Sequence, residues 1–379
     1  MTTTRSVAVF AVEDTAAQVT WTGFPAGSVA TLSAGDASVS VDGTGTGSPG
    51  AAVLEGLTPS TRYEVRLRID GGPSSVVASF RTLAPPPGEL LCRFATVSDT
   101  HVGERAFGLL PRFREDPTLT GSQAYPSRCL RAAVEEASAW GAGTIVAKGD
   151  LTWSGRPLQW QLVAAALATS PVPVHATLGN HDVVPRAIDG RDVLDGFGIV
   201  ASRAVEPIDL PGLRVVIGHS ADRGHRYGVI DGVQRDEIVR LVGEAPGPAF
   251  FATHHYVDPL PIRSRYPRGI RRIEGDTLLA GIAAANPSTF VSFGHSHRHR
   301  RKRQHGMPTT EVGSTKDYPG VWAGYAVHEG GIRQVVMRVA EPSAIAWTER
   351  TSAVLGGFWG WWSPGRLPWR CFSWTWPGR

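Results

Sequence analysis

Hydrophobic and polar positions follow two different periods along this chain of 379 residues. In the first part they alternate one by one, as in Gln18-Val19-Thr20-Trp21-Thr22 and Tyr63-Glu64-Val65-Arg66-Leu67-Arg68-Ile69, with Asp70-Gly71-Gly72-Pro73 as a turn. Such alternation, bounded by Gly, Ser and Thr, predicts half-buried strands, and strands at this spacing predict a small all-β sandwich over 1–83. Three consecutive prolines, Pro85, Pro86 and Pro87, then supply a stiff linker over 84–89. From residue 90 the pattern becomes mixed. Short continuous apolar runs at 93–98, 144–148, 172–178, 249–252 and 289–293 predict buried strands, joined by a further strand at 213–217. Between them lie helical spacings at 128–140 (Leu130, Val134 and Ala137 on one face), 158–169, 234–242 and 277–285. Strands at 309–312, 324–328 and 332–339 close a region ending near 340. Residues 341–379 form a tail that holds seven of the 12 tryptophans.

Polar words interrupt this pattern in a fixed place. Each of five apolar runs ends in one: Asp99-Thr100-His101, Gly149-Asp150, Gly179-Asn180-His181-Asp182, Thr253-His254-His255 and Gly294-His295-Ser296-His297. Strand ends are where open α/β sheets bind ligands, and Asp, Asn and His together offer oxygen and nitrogen donors for a divalent cation. One Gly-Asp or His-His pair means little in a chain of this size. Five such words in order, each after a strand, point to a metal site.

In this order the five words resemble the calcineurin-like metallophosphoesterase superfamily, over roughly residues 92–340. The resemblance implies a four-layer α/β/β/α sandwich for residues 90–340. It implies two divalent cations (Mn²⁺, Fe²⁺, Zn²⁺ or Co²⁺), with Asp99, His101, Asp150 and His297 on one and Asp150, Asn180, His254 and His295 on the other. Asp150 bridges them. Cations held so close would turn a bridging water into a hydroxide nucleophile for attack at phosphorus. His181 is then the expected catalytic residue that is not a ligand, with Asp182 orienting it. The neighbourhood of Asn180, His181, His255, Arg263 and Arg298 is expected to meet the substrate. The N-terminal module resembles fibronectin type III, on Trp21 and on the stretch Leu57-Thr58-Pro59-Ser60-Thr61-Arg62-Tyr63 before a strand.

Within the superfamily, Asp-x-His with Gly-Asn-His-Asp is similar to the class III cyclic-nucleotide phosphodiesterases. The expected activity is therefore phosphodiester hydrolysis, with 3′,5′-cyclic nucleotides as candidate substrates. A phosphomonoesterase is the alternative, and a non-catalytic scaffold stands further off because no ligand position is missing. Purple acid phosphatases carry Gly and Tyr where this chain has His101 and Trp153, so an iron(III)–tyrosinate centre is not expected. Lys148, just before Gly149-Asp150, departs from the small or apolar residue usual there.

Composition narrows the setting. Apolar residues at 42% and charged ones at 19% describe a chain able to bury a sizeable core. Cys92, Cys129 and Cys371 are odd in number and far apart, so no disulfide framework or zinc finger is expected. With no signal-like apolar segment at the start and no run long enough to span a bilayer, a cytoplasmic location is the expectation. Net charge is only +4, yet two basic runs follow the histidine words: Arg263, Arg265, Arg268, Arg271 and Arg272, then Arg298, Arg300, Arg301, Lys302 and Arg303. These ten exceed the net charge, so the rest of the chain is net negative. Solvated loops and recognition of a small anionic substrate are the two leading readings. Nucleic acid is disfavoured because no aromatics interleave residues 298–303. The tryptophan-rich tail reads first as a segment folded back on the body or partly disordered, with contact to a membrane surface or a protein partner as the alternative.

Overall fold

The computed structural model describes residues 7–260 and 266–378. Seven strands come first: β1 (Val7–Val12), β2 (Ala16–Trp21), β3 (Val29–Ala34), β4 (Ala37–Asp42), β5 (Gly50–Glu55), β6 (Arg62–Ile69) and β7 (Ser75–Arg81). They form two antiparallel sheets, in the orders β1-β2-β5 and β4-β3-β6-β7. The alternation along β6 is realised directly: Val65 and Leu67 point into a core shared with Val19, Leu32 and Leu54, while Glu64, Arg66 and Arg68 face solvent. This is the two-sheet packing that the period-two pattern predicts.

The second region contains β8 (Leu90–Val97), the short hairpin β9 (Ala106–Phe107) and β10 (Phe113–Arg114), α1 (Tyr125–Ala139), β11 (Ile145–Lys148), α2 (Pro157–Leu167), β12 (Val174–Thr177) and α3 (Arg191–Asp195). It continues with β13 (Glu206–Leu210), β14 (Leu213–Ile217), α4 (Gly232–Gly243), β15 (Ala249–Thr253), α5 (Arg272–Ala285) and β16 (Thr289–Phe293). Then come β17 (Arg300–Gln304), β18 (Met307–Glu311), β19 (Val321–His328) and β20 (Gly331–Arg338). The closing segment holds α6 (Pro342–Thr351), α7 (Phe358–Trp362), α8 (Leu367–Arg370) and β21 (Phe372–Thr375).

Two mixed six-stranded sheets result, ordered β12-β11-β8-β19-β20-β21 and β13-β14-β15-β16-β18-β17. They pack face to face. Val215, Ile217, Phe250 and Phe290 of the second sheet join the core of the first, and Phe94 meets Phe250 edge-on with ring centroids 4.9 Å apart. The alternate residues Val216, Phe251 and Val291 turn outward and are covered by Ile238 and Leu241 of α4 and Leu278 and Ile282 of α5. Leu130 and Val134 of α1 and Trp160 and Val163 of α2 cover the first sheet. Both faces of each sheet are buried, which is why their strands read as continuous apolar runs. The four layers are helix, sheet, sheet and helix. Strands β8, β11 and β12 are parallel within one sheet, and β15 and β16 are parallel within the other. Their carboxyl ends carry all five polar words.

Helix α5 begins at Arg272, five residues before the predicted start at 277. Its first turn shows no apolar face because Ile273 is 75% exposed. Gly275 sits there against Val257, where an added Cβ would come within 2.5 Å of that side chain.

The tail is built into the body. β21 adds to β20, Trp376 and Trp347 are buried, and the Trp347 ring stacks on Tyr125 with centroids 3.8 Å apart. Its aromatics also take the second basic run: Arg298 lies over Trp362 at 4.2 Å, Arg301 over Phe372 at 3.7 Å and Arg303 over Trp374 at 5.3 Å. No aromatic interleaves this run in the sequence; these rings come from far along the chain. The N-terminal sheets dock on the same face. Gln18 Nε2 donates to the Arg338 carbonyl at 2.7 Å, and Arg370 donates to the Phe10 carbonyl at 2.9 Å.

Candidate metal centre

Each polar word sits where a parallel strand stops, and in three of the five the backbone is strained. Ten non-glycine residues among those described have positive φ, and five of them are Asp99, His101, Asp150, His295 and His297, at +46° to +67°. Side chains rarely adopt this region, so such strain marks a place where the surrounding structure overrides local preference. Glycine enters for a different reason. A Cβ on Gly149 would lie 2.7 Å from the Gly179 nitrogen and 2.9 Å from the His254 ring, and one on Gly179 would meet Asp150 Oδ1 at 2.2 Å. Only glycine lets these loops approach so closely.

The loops bring donor atoms together. His101 Nε2 is 3.6 Å and His254 Nε2 3.3 Å from Asp150 Oδ2, and His297 Nε2 is 3.4 Å from Asp99 Oδ1. His101 and His297 point Nε2 at one another across 3.1 Å, and His295 Nδ1 lies 3.2 Å from His254 Nε2. Asp99, His101 and His297 make one group able to hold a cation; Asp99, Asp150 and His254 make a second. Asn180 Oδ1 is buried with no hydrogen-bond partner among the described residues. Nitrogen and oxygen donors converging within 3.1–3.6 Å of one another, beside an orphaned buried oxygen, are what a cation would satisfy. The residues therefore fit a metal centre.

Carbonyls and a carboxylate behind the histidines fix which nitrogen faces inward. His254 Nδ1 donates to the Lys148 carbonyl at 2.8 Å, His295 Nε2 to the Arg268 carbonyl at 3.0 Å, and His297 Nδ1 lies 2.6 Å from Asp317 Oδ2. Burial keeps His101 well below the usual histidine range and brings His295 down to about 3, so both are neutral. For His254 burial works the same way, but Asp150 overrides it and raises the ring to about 9. His297 is treated alike by Asp317 and Asp99 and reaches about 10. A cation arriving between these groups displaces those protons.

A family model for calcineurin-like phosphoesterases matches residues 92–299, more than half the chain. This chain belongs to the calcineurin-like phosphoesterases. A search of curated proteins finds no match. Among solved structures it is similar to purple acid phosphatase PPD1 from yellow lupin (Lupinus luteus) seeds, at 13% identity over 89% of this chain and 73% of that one, TM-score 0.46. It is similar to PhoD at 11% identity over 89% of this chain and 87% of that one, TM-score 0.46. Plasmodium GAP50 aligns at 12% identity over 68% of this chain and 87% of that one, TM-score 0.45.

Several expected site residues of this phosphoesterase need correction. Asp182 does not touch the His181 ring. It is buried and accepts from the backbone N–H groups of Leu151 (3.0 Å), Thr152 (2.7 Å) and Gly179 (2.8 Å), and from the Thr152 hydroxyl (2.7 Å). It ties the Asp150 loop to the Asn180 loop. The His181 ring is held by the Trp153 carbonyl, 3.0 Å from Nδ1, and stands edge-on to His101. Arg298 is buried against Glu311 at 3.6 Å and Trp362, so it is not free to meet a substrate. His255 is wholly buried, bonded to Ser220 at 2.9 Å, and its ring lies 4.4 Å from His295. It belongs to the donor cluster with His254 and His295. Arg263 lies outside the described residues. His219 is fixed between Thr177 and the Ala204 carbonyl, and His225 pairs with Asp222.

Lys148 and Asp317 carry structural roles around the centre. Lys148 is fully buried, and its Nζ donates to Ser292 Oγ (2.8 Å) and the Phe293 carbonyl (3.1 Å), tying β11 to β16 across the two sheets. Asp317 was not expected from sequence; its only signal is a charged pair, Lys316-Asp317, in a segment that leads into a strand. Lys316 bonds Glu104 at 2.5 Å, and Glu104 accepts from the Tyr125 hydroxyl at 2.7 Å. This buried chain ends at His297.

Proposed function

We propose that this protein hydrolyses phosphodiesters at a centre of two divalent cations. Asp99, His101, Asp150 and His297 hold one, and Asp150, Asn180, His254 and His295 hold the other. The observation that carries the reading is the convergence of these donors, with Asn180 Oδ1 buried and unpartnered among them. Cations bound there supply Lewis-acid polarisation of the phosphoryl group and activation of water as the nucleophile. Mn²⁺, Fe²⁺, Zn²⁺ and Co²⁺ suit this mix of nitrogen and oxygen donors.

The chain's own residues do the remaining work. His181 is partly exposed beside His101, and its Nδ1 is taken by the Trp153 carbonyl. That leaves Nε2 to carry a proton to the departing oxygen. The Trp153 ring, 41% exposed and 4.8 Å from the His181 ring, offers a flat apolar wall beside the reacting group. A diester has a second substituent that can lie on such a wall; a small monoester does not, and this supports the diester reading. The test is hydrolysis of bis(p-nitrophenyl) phosphate against p-nitrophenyl phosphate by the Mn²⁺-reconstituted chain. Higher kcat/KM for the diester is expected, with 3′,5′-cyclic nucleotides to be assayed next. Preference for the monoester would make the protein a phosphatase.

A further inference from the structure

The loop that leaves His101 carries a charged feature that the metal centre does not use. The hairpin β9–β10 and the residues after it bound a cavity of ≈ 310 Å³, lined by Glu104, Arg105, Arg112, Arg114, Glu115 and Asp116 among others. Its acids are already engaged. Glu104 takes Lys316 and the Tyr125 hydroxyl. Glu115 takes Arg128 at 2.6 Å and the Tyr125 backbone N–H at 2.7 Å. Asp116 accepts from the Thr118 N–H at 2.9 Å and its hydroxyl at 2.7 Å.

The arginines are not engaged. Arg105, Arg112 and Arg114 are exposed, and their guanidinium groups meet no hydrogen bond or ion pair among the described residues. Three planar cations around one cavity, against Asp116 as the one lining carboxylate that no cation takes among the described residues, leave net positive charge in a concave site. Guanidinium groups match phosphate oxygens in pairs, and a cavity of this size admits a small ligand. We propose that this cavity is a second anion site, which takes a phosphate group other than the one cleaved. Glu104 stands three residues beyond His101 and connects through Lys316 and Asp317 to His297, so one wall of the cavity is continuous with the metal centre.

Two sources share this chemistry. One is a second phosphate on the substrate itself, which deepens the phosphodiesterase reading and rests on it. The other is a lipid headgroup. Leu109 and Leu110, 74% and 71% exposed, sit on the same loop, and the Leu110 carbonyl accepts from the Leu355 N–H at 2.6 Å beside the exposed Phe358 and Trp361.

The experiment is calorimetric titration of the metal-loaded full chain with inorganic phosphate, beside the double variant Arg112→Gln, Arg114→Gln. Neither side chain has a partner to lose, so the fold is retained, which a thermal scan checks. The wild type is expected to bind phosphate at two sites and the variant at one. Equal stoichiometry in the two proteins overturns the proposal. The source follows from two further arms. If it is the substrate, KM for a diester bearing an additional phosphate rises roughly tenfold in the variant relative to bis(p-nitrophenyl) phosphate. If it is a headgroup, sedimentation with phosphatidylglycerol-containing vesicles falls by a similar factor while neutral vesicles show no difference. Failure of the wild type to hydrolyse either nitrophenyl ester would overturn the phosphodiesterase reading and leave the phosphate count standing.

Discussion

His297 Nδ1 lies 2.6 Å from Asp317 Oδ2, and that contact sets which face of the imidazole looks into the metal centre. With Nδ1–H committed to the carboxylate, Nε2 is the nitrogen that faces Asp99 and His101, and a cation bound there would take the place of its proton. Carboxylates in this position orient a ligating histidine and raise its basicity. The Asp317→Asn variant is predicted to bind Mn²⁺ about 10–100-fold more weakly, with kcat reduced in step at fixed metal. Metal titration followed by activity checks it. Unchanged affinity would make Asp317 a partner of Lys316 alone.

Asp182 and His181 are neighbours with separable effects. Asp182→Ala leaves three backbone N–H groups and one hydroxyl without their acceptor. Each buried donor left unpaired costs ~1–3 kcal/mol, so the predicted loss of stability is at least about 2 kcal/mol. His181→Ala removes a partly exposed ring and is predicted to lower kcat by ~10²–10⁴ with metal content and Tm near wild type. Denaturation and kinetics on both variants test the division. A stable Asp182→Ala protein that fails only in catalysis would restore the orienting role that the structure denies it.

Glu136 supplies a pH dependence remote from the metals. Burial raises its pKa to about 7, although the Ala340 and Glu341 N–H groups and the Trp322 ring N–H pull it back. A raised acid binds its proton more tightly in the folded chain than in the unfolded one. Its contribution to stability is therefore fully present below about pH 4.5, is lost as pH rises to about 7, and changes no further above that. Glu136→Gln cannot ionise. Its stability relative to wild type is predicted to grow between pH 5 and pH 7 in paired urea titrations. A gap that stays constant over that range would contradict the assignment.

Much of the site was legible because its words are local. Asp99, His101, Asp150, Asn180, His254, His295 and His297 each follow an apolar strand, and strand ends in parallel sheets meet at one edge. The β6 alternation likewise gave its inward face directly, with Val65 and Leu67 buried. What stayed hidden depends on contacts distant in sequence. Nothing near Asp317 announces that it reaches His297, and nothing near Arg298 announces that Trp362 covers it. The tail's place depends on such distant contacts too. Its tryptophans look like a docking strip until β21 pairs with β20, after which Trp361, at 76%, is the one tail tryptophan left prominently exposed. Asp182 shows the limit of adjacency: a carboxylate next to a histidine need not serve it, and here it serves the backbone.

The most direct test of the central claim is metal content measured beside diester hydrolysis, in wild type and in Asp150→Ala, after dialysis against Mn²⁺ and removal of free metal. Two ions per wild-type chain are predicted, with turnover abolished by chelator and restored by metal, and the variant should lose both ions and activity together. Turnover that survives in Asp150→Ala, or in a chain stripped of metal, would contradict a two-cation centre built on that carboxylate.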